Sequence, residues 1–258
     1  MTRADLRRRG EEIRTRLERT GALSGHGEDG DPAPGYSRFI TELVFGGVWG
    51  RPGLPLEDRM ICTLAVLSAL QRLPQLRSYI GAALDIGLEP RAILEVFVQC
   101  GLYSGFSTAD TSLATANAVF AARGITVAEE PVREDELDVL EERGQQIMAA
   151  LHGERGRQGY AAPGNPITGA LFGSAVQYGY GELWDRPGLD RRGRMLCAVA
   201  AFTAMGLDGQ VRKFSQSALN VGLTQEEIVE AIIQTGPYGG FPLALNALAL
   251  FSDAVSQI

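Results

Sequence analysis

Apolar residues recur at helical spacing along most of this chain. Residues 4–19 are dense in Arg and Glu, with Leu6, Ile13 and Leu17 on one stripe, which predicts an amphipathic helix. A second helix is expected from about Tyr36 to Val48. The Arg51-Pro52-Gly53 turn closes it, because the residue before a proline is pushed out of the helical region. Pro55-Leu56-Glu57-Asp58 opens the next helix, with its acids near the positive end. Met60 to Leu70 is apolar on nearly every face, the pattern of a helix buried on all sides. Pro74 to Leu84 follows and stops at Gly87. From Glu89 to Tyr103, Ile93, Val96 and Phe97 face inward, while Glu95 and Gln99 form a polar pair four residues apart. Ser107 to Ala121 is a last, Ala-rich helix. Gly21 to Gly35 and Gly153 to Pro166 read as loops. No stretch carries a convincing strand pattern or hairpin turn, so the fold class is all-α.

The pattern occurs twice. WGRPGL at Trp49–Leu54 returns as WDRPGL at Trp184–Leu189, an offset of 135 residues. At the same offset Arg59 meets Arg194, Cys62 meets Cys197, Gln75 meets Gln210, Glu95 meets Glu230 and Gln99 meets Gln234. Tyr103-Ser104-Gly105-Phe106 meets Tyr238-Gly239-Gly240-Phe241. The leading helix repeats too: Gly10, Ile13 and Leu17 are answered by Gly144, Ile147 and Leu151, at an offset of 134. The period far exceeds a solenoid unit, so two tandem helical domains are expected, residues 1–130 and 131–258, with an acidic linker from Glu129 to Glu136.

Composition narrows the function. A net charge of −7 argues against a nucleic-acid binder, which would show a basic face. No apolar run reaches the roughly 18 residues that span a bilayer, and the charged N-terminus is unlike a signal peptide. A cytoplasmic protein is expected. Cys62, Cys100 and Cys197 form no CxxC pair and lie in apolar runs, so buried free thiols are expected.

These residues resemble the carboxymuconolactone decarboxylase family, whose members share the AhpD-like helical fold. The resemblance rests on GxxW-x-RPGL, an Arg five residues on and the apolar helix. It continues in Ala83-Leu84-Asp85-Ile86-Gly87-Leu88 with Ile93 and Glu95, and in Gln99 to Phe106; the second half has Ala218 to Glu230 and Gln234 to Pro242. It implies chemistry on a small cyclic carbonyl compound without a cofactor or metal, in an oligomer. If the family's hexamer is six single domains, a tandem chain would form a homotrimer. The departures bear on chemistry. The family decarboxylases' histidine, eight residues before the Ala-Leu-x-x-Gly glycine, is Tyr79 in one half and Phe214 in the other. The CxxC of the family's redox branch is replaced by Arg72 and Gln75, and by Leu207 and Gln210, which argues against a thiol peroxidase. The acid of the family's GEIW is present as Glu182, but Gly47 is its counterpart.

The expected site follows from that asymmetry. Glu182 is the candidate acid or base, and Tyr79 a proton donor reaching the same pocket across the pseudo-twofold; the plainer readings are an exposed glutamate and a core tyrosine. Arg59 and Arg194 have the geometry to clamp a substrate carboxylate. Their recurrence in both halves favours a structural ion pair with Glu95 or Glu230. Gln75 and Gln210 are candidates to orient a ligand, Tyr103 and Tyr238 to line a pocket, and Trp49 and Trp184 to wall it or anchor the core. Lys213 reads as a solvated lysine rather than a Schiff base. His26 and His152 lie in Gly-rich loops and read as surface residues, and two scattered histidines do not make a metal site; His152 is kept as a binding candidate. The function expected is a diverged decarboxylase-like enzyme that decarboxylates, isomerises, opens or cyclises an oxygenated ring, for example in polyketide biosynthesis. The alternative is a non-catalytic small-molecule-binding or scaffolding protein.

Overall fold

A computed structural model describes residues 1–18, 23, 31–129, 132–162 and 164–256. His26 lies outside the described residues. In the first half, α1 spans Arg3–Leu17, and α2 (Tyr36–Ile40) runs straight into a π-helical segment, Thr41–Trp49. Then come α3 (Leu56–Ala69), α4 (Leu73–Asp85), α5 (Pro90–Ser104) and α6 (Phe106–Ala122). The second half repeats the order: α7 (Leu137–His152), α8 (Gly169–Ser174) leading into a π-helical segment at Ala175–Tyr180, α9 (Arg191–Met205), α10 (Asp208–Asn220), α11 (Gln225–Gly239) and α12 (Phe241–Val255). No strand occurs among the described residues.

Local sequence explains the boundaries. Thr2 caps α1 and Thr224 caps α11, each in a reciprocal box with an acid three residues on, Asp5 and Glu227. Gly87 and Gly222 follow α4 and α10 with φ of +95° and +86°, a conformation that only glycine adopts cheaply. Two expectations change. The helix expected from Tyr36 is π-helical in its second part, where the Gly50 amide donates to the Phe45 carbonyl five residues back, at 2.8 Å. The loop expected at Gly153 to Pro166 contains two short 3₁₀ turns, Gly153–Arg157 and Gly159–Ala161.

Paired glycines bring the leading helix onto the π-helical segment. A Cβ on Gly10 would stand 2.1 Å from the Thr41 carbonyl oxygen, and one on Gly46 2.0 Å from that of Leu6. In the second half Gly144 faces the Val176 oxygen at 2.1 Å and Gly181 the Leu140 oxygen at 2.1 Å. Backbones this close leave no room for a side chain, which is why these glycines repeat.

α3 and α9 pack against each other at the centre of the molecule; α5 lies on α9, and α11 on α3. Every residue from Asp58 to Ser68 is buried, and so is every residue from Gly193 to Ala204. The all-round apolar character of these helices is therefore used against their own repeat on one side and the other repeat on the opposite side. Cys62, Cys100 and Cys197 are all buried and free. Burial pushes the thiols of Cys62 and Cys197 well above their ordinary range, which keeps them unreactive. Among the described residues, no helix is long and apolar enough to cross a membrane, and no cluster of His, Cys, Asp and Glu is placed to hold a metal.

Candidate functional site

The two halves are joined by crossed ion pairs. Arg59 of the first half donates to Glu230 of the second at 2.8 Å and to the Gln234 side-chain oxygen at 3.3 Å. Arg194 of the second half donates to Glu95 of the first at 3.0 Å and to the Gln99 oxygen at 3.0 Å. Arg51 and Arg186 of the RPGL turns reinforce Glu230 and Glu95 at 2.7 and 2.9 Å. Burial alone would raise both carboxyls, but hydrogen bonds from Arg186 and Arg194 hold Glu95 below its ordinary range, and those from Arg51 and Arg59 do the same for Glu230. Arg59 and Arg194 have no exposed surface, and neither is among the residues lining the two larger cavities. As substrate clamps they are corrected: their guanidinium groups are engaged in fastening one repeat to the other.

Each cavity is walled by one repeat and completed by a tyrosine from the other. The second-half cavity, of about 510 Å³, is lined by Tyr180 and Trp184 before α9, Phe202 on α9, Gln210 and Phe214 on α10, and Leu171, Phe172 and Ala175 on α8 and its continuation. Leu102 and Tyr103 reach it from α5 of the first half. Among the described residues no charged side chain lines it. The first-half cavity, of about 620 Å³, is lined by Arg14, Phe45, Gln75, Ser78 and Tyr79, with Pro237 and Tyr238 from α11 of the second half.

Hydrogen bonding makes these cavities chemically different. In the first half, the Trp49 indole N–H donates to the Tyr238 hydroxyl at 2.7 Å, and the Tyr79 and Tyr238 hydroxyls share a bond of 2.6 Å. Gln234 turns its amide nitrogen to the Thr63 hydroxyl at 3.1 Å. Burial pushes Tyr238 up to about 12. Tyr238 thus takes the Trp49 proton, and one of the two phenolic protons is held between Tyr79 and Tyr238. In the second half Ala198 replaces Thr63 and Phe214 replaces Tyr79. Gln99, its oxygen fixed by Arg194, points its amide nitrogen at the Tyr103 hydroxyl, 2.7 Å away. The Tyr103 oxygen therefore accepts, and its own proton has no partner among the described residues. The Trp184 indole N–H likewise has none. Burial raises Tyr103 well above its ordinary range, against the opposing effect of the Gln99 bond, so it stays a protonated donor.

His152 stands directly behind this cavity. It is the last residue of α7 and wholly buried, with Nδ1 2.8 Å from the Ser217 hydroxyl and Nε2 2.9 Å from the Tyr180 hydroxyl. Its ring meets Phe214 edge-on at 4.8 Å. Burial, then the positive charges of Lys213 and Arg155, lower its pKa to about 3. The expectation of a loop histidine is thus overturned. Lys213 is half-buried, and burial, then Arg155, lower its pKa. The native state holds His152 neutral while the unfolded chain protonates it near pH 6.5. Below that value the unfolded state binds the extra proton, so stability falls by about 1.4 kcal/mol per pH unit towards pH 3. Denaturant titrations should show this slope in the wild type and its loss in His152→Gln; parallel curves would contradict a buried neutral imidazole.

The sequence signature of the carboxymuconolactone decarboxylase family matches residues 34–118 and again 170–253. The chain belongs to the carboxymuconolactone decarboxylase family. It is 36% identical over 100 residues to 4-carboxymuconolactone decarboxylase of Acinetobacter baylyi, covering 39% of this chain and 73% of that protein. An uncharacterised 15.0 kDa protein of Paracoccus denitrificans is 36% identical over 80 residues, 30% of this chain and 60% of its own length. A nitrosuccinic acid decarboxylase of Metarhizium robertsii is 27% identical over 83 residues, 32% of this chain and 58% of its own length. At the coarse level, these relatives support a decarboxylase-like enzyme.

The expected pairing of Glu182 with Tyr79 does not form. Tyr79 is in the first-half cavity, bonded to Tyr238. Glu182 is half-buried just beyond the π-helical segment and lines neither of the two larger cavities; its charge acts on Arg133 of the linker. Gln75 and Tyr238 line the first-half cavity, and Gln210, Tyr103 and Trp184 the second. Trp49 is a buried strut bonded to Tyr238. Tyr180 and Ser217 were missed. Their repeat partners, Phe45 and Ala82, lack a hydroxyl, and that mismatch was the signal available.

Proposed function

We propose that the chain is a decarboxylase-like enzyme acting on a cyclic, oxygenated carbonyl compound in the second-half cavity. The observation that supports this reading is that Tyr103, its oxygen occupied by Gln99, and Trp184, whose N–H has no partner among the described residues, both line one largely apolar cavity. Loss of CO₂ next to a carbonyl, or abstraction of a proton there, places negative charge on the carbonyl oxygen. Two fixed neutral donors in a low-dielectric site stabilise that charge without solvent reorganisation. A carboxylate entering a cavity with no charged lining residue among the described ones exchanges water for neutral contacts, which favours its departure as CO₂. Isomerisation or ring closure through the same enolate uses the same donors, and a role in tailoring aromatic polyketides fits the flat aromatic walls. The first-half cavity, whose two tyrosine hydroxyls are bonded to each other and to the Trp49 indole, is proposed to be catalytically silent. The test is CO₂ release from a bicyclic β-keto acid, 1-tetralone-2-carboxylate, measured above its spontaneous rate. Acceleration by the wild type is expected, and none at any concentration would count against the reading.

We also propose that the chain assembles as a trimer. Ile167, Leu171 and Leu245 are largely exposed apolar residues on the second half, as is Phe106 on the first, and symmetric closure would cover such surface. Light scattering coupled to gel filtration should give about three times the 27.7 kDa chain mass; a monomer mass would refute it.

A further inference from the structure

We infer that a cleft on the first half, between α1 and the Arg51-Pro52-Gly53 turn, binds the phosphate group of a small phosphate monoester. The cleft is separate from both larger cavities, and the inference does not depend on the activity proposed above.

The cleft has a volume of about 400 Å³. Arg9, Ile13 and Arg16 line it from α1, and Arg51 and Leu54 from the turn opposite. Among the described residues no acidic side chain lines it. Three guanidinium groups therefore share one small space. Arg51 gives Nε and Nη2 to Glu230, which leaves Nη1 for the cleft. Arg9 and Arg16 form no hydrogen bond or ion pair with any described residue. Glu11 and Glu12 of the same helix are exposed and pair with neither. Arg16 also borders a neighbouring cleft with Glu57 and Asp85, but neither acid comes within ion-pair distance of it. Asp85 instead takes Arg123, at 2.7 Å.

The second half shows which charge is missing. Arg143 on α7 is the counterpart of Arg9, and it is paired with Asp135 at 2.8 Å and with Asp185 at 3.7 Å. Asp185 follows Trp184 as Gly50 follows Trp49, so the first half has a glycine where the second has the partner acid. The Arg9 stem occupies the space this frees. A Cβ on Gly50 would stand 2.7 Å from Arg9 Cγ and closer still to Cδ. The φ of Gly50 is −80°, which any residue adopts, so room for Arg9 and not backbone strain is what calls for glycine. Arg16 in turn stands where the second half has Ala150. One negative charge is thus removed and one positive charge added around the same cleft.

Unmatched like charges in one cleft repel, and an anion between them reverses the sign of that interaction. Arg9 and Arg16 supply two unmatched charges, which suits a dianion. A phosphate monoester carries about −1.5 to −2 at neutral pH, whereas a single carboxylate carries one charge. The planar guanidinium fork also matches phosphate oxygens two at a time. Ile13 and Leu54 offer apolar surface to the organic part of the ester.

The test is calorimetry of the full chain with phenyl phosphate and with benzoate, in a buffer free of phosphate. The wild type should bind one phenyl phosphate per chain, about ten-fold more tightly than benzoate. Arg9→Gln and Arg16→Gln should each weaken phenyl phosphate by about ten-fold, the range of one charge-assisted contact. Arg8→Gln alters the same helix outside the cleft and should leave the affinity near wild type. Gly50→Asp supplies the acid found in the second half and should abolish binding. Arg16 is exposed, so Arg16→Gln decides the matter should Gly50→Asp fail to fold. No binding of phenyl phosphate by the wild type would overturn the inference, as would equal affinity for benzoate. So would an equal loss in Arg8→Gln, which would mean diffuse attraction to a basic helix, or binding that survives Arg9→Gln and Arg16→Gln.

Discussion

Tyr103→Phe should lower the accelerated release of CO₂ from 1-tetralone-2-carboxylate by about 10²-fold or more, the usual effect of removing one donor to a developing oxyanion. The substitution keeps the ring, which packs on Phe202 with centroids 4.5 Å apart. It removes the hydroxyl that accepts from Gln99, so a stability loss of about 1 kcal/mol is expected beside the kinetic effect. Tyr238→Phe is the matched control in the other cavity. It breaks bonds to Trp49 and Tyr79, and should cost more stability while turnover per folded molecule stays near wild type. Equal kinetic losses in both variants would mean two working cavities. Undiminished turnover in a folded Tyr103→Phe protein would move the assignment to a small-molecule-binding protein.

The helical architecture was legible because each element repeats. A glycine that returns at Gly10 and Gly144 marks a close backbone approach, and an apolar helix that returns at Met60 and Met195 marks a shared core. Pairing across the halves was not legible. Both repeats carry the same Arg, Glu and Gln, so periodicity cannot say whether Arg59 reaches Glu95 or Glu230; only the packing of α11 on α3 decides it. His152 was hidden by the glycine after it. Yet it follows buried Met148 by one helical turn, which places it on the core face. Glu182 was chosen by motif position, and its motif place says nothing about which way the side chain faces. The most informative mismatch was Thr63 against Ala198. That single hydroxyl decides whether the neighbouring glutamine bonds across to the other repeat, as Gln234 does to Thr63, or to the cavity tyrosine on its own helix, as Gln99 does to Tyr103.

Removing Glu95 should destabilise the protein by about 3–5 kcal/mol, because it leaves the buried Arg194 charge without its carboxylate. Glu95 has 1% of its side chain exposed and receives Arg91, Arg186 and Arg194; Glu230 has 4% and receives Arg51 and Arg59. Glu95→Ala should therefore cost at least as much as Glu230→Ala in urea titrations. Replacing Arg194 and Glu95 together with methionine should cost far less than the two single losses added, since no unpaired charge then remains. The pH dependence has a definite sign. Both carboxyls are held below their ordinary range in the folded state, so their contribution is complete above the unfolded value near pH 4.3 and is lost as pH falls below it. The two pairs should separate in activity. Arg194 fixes the oxygen of Gln99, and Gln99 directs Tyr103; Arg194→Met should therefore reduce turnover per folded molecule as well as stability. Arg59 fixes Gln234, whose nitrogen goes to Thr63 and away from the working cavity, so Arg59→Met should reduce stability alone. Equal kinetic effects in the two arginine variants, compared under conditions where both are folded, would break the link between the crossed ion pair and the donor.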